Sequence, residues 1–510
     1  MQEPNQERVR KRRISGTSTV IAAASHADDR IIISETIVKQ VGKIADSLGI
    51  ELYIVGGYVR DYYLKKQRND YDFTVVGDAV KFAEELAERL KTKAIIYPRF
   101  RTAMVPVGQY KLEFVGTRKE EYKKNSRKPI VTEGTLEDDL RRRDFTLNAI
   151  AVNINKENFG KVIDLFDGIQ DLRSKILKTP LDPPTTFSDD PLRMLRAIRF
   201  ASQFGFLIHQ ACYFAIKRMS DRIEIISQER ISEEFLKILA SPKPSHGLYM
   251  LHDTGLMNYI FPEISALAGI ERITYEGREY HHKDIMLHTF QVVDNLSTLT
   301  DNIWLRFASL VHDIAKPKTK KFVEDIGWTF HGHEELGARY MERIFRRMRF
   351  PLDKLPYVET LVRLHQRPMA LVDQGVTDSA VRRLAFHAGD ALEDLFTLCK
   401  ADITTNNQKL SYQYFNNYDL VFEKVKTVQE TDKLREFQSP LRGDEIMEIC
   451  GIPPSKTVGL LKSRIEEAIL DNLIPNDYEA AKSYFLVHKE SWLDDITGRN
   501  KPADDNQYDD

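Results

Sequence analysis

The chain has 510 residues, too many for one hydrophobic core, and its composition (42% hydrophobic, 29% charged) is that of a folded multidomain protein rather than a disordered or fibrous one. Its 74 basic and 76 acidic residues leave a formal net charge of -2, so any nucleic-acid surface must be a local patch and not a global bias. No apolar run approaches the roughly 20 residues of a membrane helix, and the N-terminus MQEPNQERVRKRR lacks the apolar segment of a secretory signal. Cys212, Cys399 and Cys450 lie far apart, with neither disulfide nor metal-ligand spacing, so a cytoplasmic protein with reduced thiols and no membrane partner is expected.

In chain order, residues 1–30 and 491–510 are charged and poor in apolar residues, and both are expected to be disordered tails. From 31 to 180 helices and strands alternate: a helix near Glu35 to Leu48, strands LYIV and FTVV, a helix AVKFAEELAERL, then strands AIIY, AMVPV and KLEFVG. Residues 181–270 turn helical, a second helical block occupies 271–410, and a third and weaker one lies within 411–490. The expected class is α+β, a mixed α/β head followed by all-α regions.

Between the first two strands stands IVGGYVRDYYLKKQRNDYDFTVVG. Gly56 and Gly57 let the backbone turn sharply and approach a ligand closely. Asp70 and Asp72 alternate along a strand, so both carboxylates face one side, where a hard divalent ion such as Mg²⁺ between them and phosphate oxygens relieves their repulsion. Further along, EDDLRRRDFTLNAIAV sets Arg143, a cation for triphosphate oxygens, beside Asp144, an acceptor for ribose hydroxyls.

The next segment, SDDPLRMLRAIRF, opens a helix, with Asp190 as cap and Pro191 at the first helical position. A cap alone does not require the arginines at 193, 196 and 199, which recur every three residues as a slowly rotating basic ridge. From Arg193 to Arg230 there are seven basic residues (Arg193, Arg196, Arg199, Lys217, Arg218, Arg222, Arg230) against three acidic ones (Asp221, Glu224, Glu229), a local patch suited to nucleic acid.

Taken together, GGYVRD, DYD, RRRDFTLNAIA, DPLRMLRAIRF and ERISEE resemble, in order, the motifs of the class II tRNA nucleotidyltransferases, the CCA-adding enzymes, whose close relatives are the bacterial poly(A) polymerases. The resemblance covers residues 50 to 262. It implies that Gly57 and Arg60 contact the nucleotide, that Asp70 and Asp72 are catalytic and hold Mg²⁺, and that Arg143 touches the triphosphate or ribose. It also implies that Asp190 and Arg193 read the incoming base, with Arg196 and Arg199 in support, and that the partners are tRNA, CTP and ATP. Asp189 departs from the usual family glutamate. The segment RKEEYKKNSRKPIVTEG matches the family's flexible loop at full length, which favours addition of C-C-A over C-C alone.

The second helical block carries His288, His312 with Asp313, His331 and His333, His365 and Asp402. The order H…HD…H…H…D resembles the HD-domain metal-dependent phosphohydrolases, which implies a divalent metal held by His288, His312, Asp313, His365 and Asp402. Poly(A) synthesis is the nearest alternative function, and an HD phosphohydrolase with an RNA-binding N-terminal half is the alternative from another class. The sequence specifies no oligomeric state.

Overall fold

The computed structural model describes residues 30–66, 70–123, 126–269, 273–275, 278–280, 284–324, 326–373, 377–432, 439–471 and 473–497. The side chain of Asp70, the side chains of residues 121–130 in the expected flexible loop, and the segments 1–29 and 498–510 lie outside the described residues. The chain divides between Asp182 and Pro183 into two compact units.

The first unit is built on a seven-stranded sheet. Helix α1 (Thr36–Leu48) buries Ile37, Val38, Val41 and Ala45 and stops at Gly49, whose φ of 66° lies in the left-handed region open to glycine. Strand β1 (Leu52–Val55) is buried throughout and leads through Gly56 into α2 (Gly57–Tyr63) and β2 (Asp70–Val75). Then come α3 (Ala79–Arg89), β3 (Ile95–Tyr97), β4 (Thr102–Val107) and β5 (Tyr110–Gly116). A hairpin of β6 (Arg118–Lys123) and β7 (Ser126–Glu133) precedes α4 (Leu136–Arg141), β8 (Ile150–Asn153) and β9 (Val162–Asp164).

The sheet order is β3-β4-β5-β2-β1-β8-β9, with β2 and β5 parallel and the other pairs antiparallel. The two strands flanking the glycine pair are neighbours, as their β-branched composition predicts. Only Gly56 takes a positive φ, 67°, whereas Gly57 is the first residue of α2, so a single glycine makes the turn. The segment expected to be a flexible loop pairs as the β6–β7 hairpin.

The second unit is mostly helical. Helix α6, here following α5 (Pro183–Asp189), spans Leu192–Phe204, and α7 (Gln228–Leu239) packs beside it. The next block contains α8 (Ile285–Ser297), α9 (Ile303–Val311), α10 (His333–Arg347), α11 (Leu355–Leu364) and α12 (Leu392–Ala401). A long helix α13 (Gln408–Asp432) follows. Helices α14 (Gly443–Cys450), α15 (Lys456–Leu470) and α16 (Tyr478–Thr497) close a separate small core around Leu441, Ile446, Leu461, Ile465 and Phe485. Helix α16 runs into the segment expected to be disordered from 491, because Trp492, Leu493 and Ile496 continue its apolar face onto that core. Among the described residues no helix is long and apolar enough to cross a membrane, and the three cysteines are free thiols.

Candidate active sites

In the first unit the glycine turn, β2 and the end of α4 meet at one point. A Cβ on Gly56 would lie 3.1 Å from Arg143 Nη1, 3.7 Å from the Asn148 carbonyl and 3.9 Å from Asp72 Oδ2. The absent side chain is what lets a cation and a carboxylate approach the turn so closely. Arg60, on α2, grips Asp61 with two hydrogen bonds (2.8 and 3.0 Å) and donates a third to Asn148 Oδ1 at 3.0 Å. Asn148 in turn donates to Asp144 Oδ1 at 3.0 Å, and the Phe145 amide donates to the same oxygen at 2.8 Å.

Asp144 is therefore buried and set in a local network that holds Asn148 and, through it, Arg60. Arg143 donates to Asp139 Oδ2 at 3.0 Å, and Arg142 bonds the other oxygen of Asp139. Asp139 is completely buried. Burial pushes its pKa up, but Arg143 and Arg142 outweigh it and hold the carboxyl below its usual range. Sequence reasoning missed Asp139 and Asn148. The only available signal was their place inside the motif that contains Arg143.

In the second unit Asp190 uses both oxygens: Oδ1 accepts from the Leu192 amide at 3.1 Å, the expected cap, and Oδ2 pairs with Arg230 at 3.1 Å. Arg193, Arg196 and Arg199 occupy the half-buried positions of α6 between buried Leu192, Met194, Leu195, Ala197 and Ile198. Arg196 and Arg199 lie over the Phe200 ring at 5.3 and 4.0 Å, and Arg199 pairs with buried Glu234 at 2.7 Å. Arg230 and Glu234, one helical turn apart on α7, explain the ERISEE stretch as the partner face of α6. The basic patch is thus less positive than its local count, since Asp190, Glu234 and Asp253, all outside the counted segment, neutralise Arg230, Arg199 and Lys217.

Farther along the same unit, apolar helices bring His288, His312, Asp313, His333, His365 and Asp402 together. His312, His365 and Asp402 sit at the C-terminal caps of α9, α11 and α12, and His333 opens α10. Three helix C-termini thus point their negative ends at one cluster. His288 Nε2 lies 2.9 Å from Asp402 Oδ1, and His312 Nε2 lies 3.3 Å from Asp313 Oδ2 and 3.5 Å from Asp402 Oδ1. His333 Nε2 is 3.2 Å from Asp313 Oδ1 and 3.3 Å from His365 Nε2.

The Nδ1 atoms of His312, His333 and His365 each face a backbone carbonyl at 2.7 Å. A carbonyl only accepts, so Nδ1 carries the hydrogen and the Nε2 lone pairs of the neutral rings turn inward. His333 Nε2 faces His365 Nε2 at 3.3 Å and also accepts from the Gln366 side-chain amide at 3.3 Å; a proton or a metal ion beside the two rings relieves their facing lone pairs. His312 Nε2, Asp313 Oδ1 and Asp402 Oδ1 are buried without hydrogen-bond partners. Burial opposes charge on His312, yet Asp313 and Asp402 favour a positive charge on its ring and raise its pKa to about 10, so a proton on Nε2 competes there with a metal ion. Despite burial, His312 and its neighbours hold Asp313 and Asp402 below the usual carboxylate range. Two overlapping groups, His288, His312 and Asp402, and His312, Asp313 and His365, fit a metal ion. His333 joins them, while His331, which sequence alone could not separate from it, is exposed. A cavity of about 470 Å³ lined by Thr404, Thr405, Tyr414 and Tyr418 opens beside His365 and Asp402.

Residues 52–178 match the family described as the Poly A polymerase head domain, 205–267 the one described as "Probable RNA and SrmB- binding site of polymerase A", and 285–404 the HD domain. A multifunctional CCA protein of Xanthomonas campestris is 32% identical over 377 residues, which cover 69% of this chain and 85% of that protein. An A-adding tRNA nucleotidyltransferase of Aquifex aeolicus is 39% identical over 201 residues, 37% of this chain; the match spans only 24% of that relative's length. The fold is similar to that of a Thermotoga maritima CCA-adding enzyme complexed with tRNA, with a TM-score of 0.54 at 19% identity over 89% of this chain and 95% of that one.

Proposed function

The chain belongs to the tRNA nucleotidyltransferase and poly(A) polymerase family and carries an HD domain, and we propose that it builds or repairs the 3′-terminal CCA of tRNA from CTP and ATP, without a nucleic-acid template. The observation that carries this reading is the approach of Arg143, Asp72 and the Asn148 carbonyl to the Gly56 turn, which puts a cation and a carboxylate where a nucleoside triphosphate and its metal ion could use them.

In this reading Arg143 and Arg60 take the triphosphate and ribose, while Asp144 and Asn148 keep Arg60 in place. Asp72, with Asp70 two positions before it on β2, would hold Mg²⁺, a role supported by the approach of Asp72 Oδ2 to the glycine turn that Arg143 also reaches. When bound, that ion lowers the pKa of the primer 3′-hydroxyl and stabilises the departing pyrophosphate. Asp190 and Arg193 read the base: a carboxylate accepts from the exocyclic amine of cytosine or adenine, and a guanidinium donates to the ring nitrogen beside it. Uracil and guanine present a carbonyl where the amine would be and are repelled. Arg196 and Arg199 stiffen this reading face through Phe200 and Glu234. The ridge and the helices after it would grip the tRNA by shape and phosphate, in the cytoplasm.

The HD cluster is proposed as a second, phosphohydrolase site. Its inward lone pairs and unpartnered carboxylate oxygens fit a divalent ion, and the imidazole-rich donor set favours a first-row transition metal over Mg²⁺. Such an ion polarises a phosphoester and activates water when bound. The relatives include both an A-adding enzyme and a multifunctional CCA protein, so the extent of addition is what the experiment must read. Purified protein is incubated with tRNA ending before C-C-A, tRNA ending in C-C, and an unstructured oligonucleotide, with each NTP supplied singly and CTP with ATP together. Addition of C, C and A to tRNA is expected, and loss of all addition in Asp72→Asn with tRNA binding retained. Extension of the unstructured oligonucleotide with ATP alone would refute CCA addition in favour of poly(A) synthesis.

A further inference from the structure

A file of alternating charges starts on the β6–β7 hairpin, away from the nucleotide contacts, and ends at Arg143. Arg118 Nε, on β6, lies 2.8 Å from Glu120 Oε1, and that oxygen lies 3.2 Å from Arg142 Nη1. Arg142 bonds Asp139 Oδ1, and Asp139 Oδ2 accepts from Arg143 at 3.0 Å. Both carboxylates are shielded from water, with Glu120 4% and Asp139 0% exposed at the side chain. Ion pairs in such surroundings are weakly screened, and removing one member leaves its neighbours uncompensated.

The backbone joins the same parts. The Gly134 amide, just after β7, donates to the Thr117 carbonyl just before β6 at 3.3 Å. A Cβ on Gly134 would stand 2.7 Å from the Lys119 amide and 3.1 Å from Asp138 Cβ, so the base of the hairpin is seated tightly against the first turn of α4. That turn is itself fixed by a capping box between Thr135 and Asp138. Helix α4 then carries Asp139 and delivers Arg142 and Arg143 at its end.

We propose that Glu120 and Asp139 are positioning residues for nucleotide binding, and that the hairpin base acts through them on the orientation of Arg143. The proposal rests on the reading of Arg143 as a nucleotide contact. Of this file, Arg143 is the member that reaches the Gly56 turn, and Glu120 acts on it through Arg142 and Asp139. A residue placed this way affects how tightly the triphosphate is held and leaves tRNA affinity alone.

The test is Glu120→Gln, nearly isosteric, measured below its melting temperature. Binding of CTP and ATP is followed by calorimetry, tRNA binding by titration, and C addition by kcat and KM. An increase of about tenfold in the CTP dissociation constant and in KM is expected, as for loss of one charge-assisted contact, with tRNA affinity unchanged. The same change is then made in an Arg143→Ala background, where it should have no further effect on CTP binding. Glu120→Asp, which restores the charge, should recover part of the loss. Asp139→Asn should reproduce the effect where it folds; Glu120→Gln decides the matter where it does not. Unchanged CTP binding in Glu120→Gln, or a full effect of it without Arg143, overturns the proposal. A wild-type protein that binds CTP through Arg143 but adds nothing to tRNA refutes the CCA reading and leaves this inference standing.

Discussion

Replacing Asp190 with alanine separates two roles that its carboxylate occupies at once. Oδ1 caps the Leu192 amide and Oδ2 pairs with Arg230, each at 3.1 Å. Losing the cap costs about 1 kcal/mol. The ion pair adds only about 0.2–1 kcal/mol, because the Arg230 side chain is 42% exposed and well screened. At about 2–4 °C per kcal/mol for a large domain, the melting temperature should fall by several degrees. These losses are the same whichever NTP is present. A lost base contact is not: it removes about 1–3 kcal/mol for cytosine and adenine only, about ten- to a hundredfold in rate. Single-NTP incorporation into tRNA is the assay, with calorimetry on the same samples. Asp190→Ala should lose CTP and ATP use by that factor while relative acceptance of UTP and GTP rises, since the repelling carboxylate is gone. Arg230→Ala is the control: it keeps the cap and the carboxylate, so it should lower stability slightly and preserve the NTP preference. Equal slowing of all four NTPs by Asp190→Ala, with the same drop in melting temperature, would refute base reading by this residue.

Gly56→Ala should reduce addition by at least about tenfold and destabilise the head by about 1–2 kcal/mol, because it meets a positive φ and sets a methyl 3.1 Å from Arg143 Nη1; unchanged CTP affinity would refute the close approach. His312→Ala with Asp313→Ala, and separately His333→Ala, should lower the bound transition metal measured by elemental analysis and abolish metal-dependent phosphoester hydrolysis while leaving C addition intact; full metal content in His333→Ala would remove that residue from the ligand set. The buried Asp139 carboxyl, held below its unfolded value by Arg143 and Arg142, binds fewer protons in the folded state, so its contribution is complete above the unfolded pKa of 3.8 and is lost as pH falls through the lower folded value. Acid unfolding followed by circular dichroism should therefore have a shallower pH dependence below about pH 4 in Asp139→Asn than in wild type, and equal slopes would refute the pairing.

Much of the head was legible because its signals are local. β-branched runs gave adjacent strands, helical spacing gave α1 and α3, and the order of the glycine pair, the D-x-D and the arginine motif anticipated that Gly56, Asp72 and Arg143 meet. What escaped were partners set by tertiary packing. Glu120 stands on a hairpin strand read as loop, because its charged run KEEYKK has no apolar alternation, and nothing in that run says that one glutamate is buried among arginines. Likewise a count of charges along residues 193–230 could not know that Glu234 and Asp253 fold back onto Arg199 and Lys217.

The HD cluster marks the boundary most sharply. His331 and His333 are two residues apart and chemically identical in the sequence, yet they have opposite fates. Gly332 takes a φ of 77° and starts α10 at His333, which turns that ring inward with its Nδ1 on the Phe330 carbonyl and its Nε2 toward Asp313. His331, before the turn, is left outside. The glycine between them was the available signal, since a left-handed residue ahead of an amphipathic helix fixes which neighbour begins the buried face. The other members of the cluster follow from the same logic at the other end of helices: three apolar helices of similar length stop where His312, His365 and Asp402 begin, so burial of their stems delivers polar groups to a common point. A hydrophobic core thereby gathers the five residues that the order H…HD…H…H…D points to, and adds His333, which that order alone does not separate from His331.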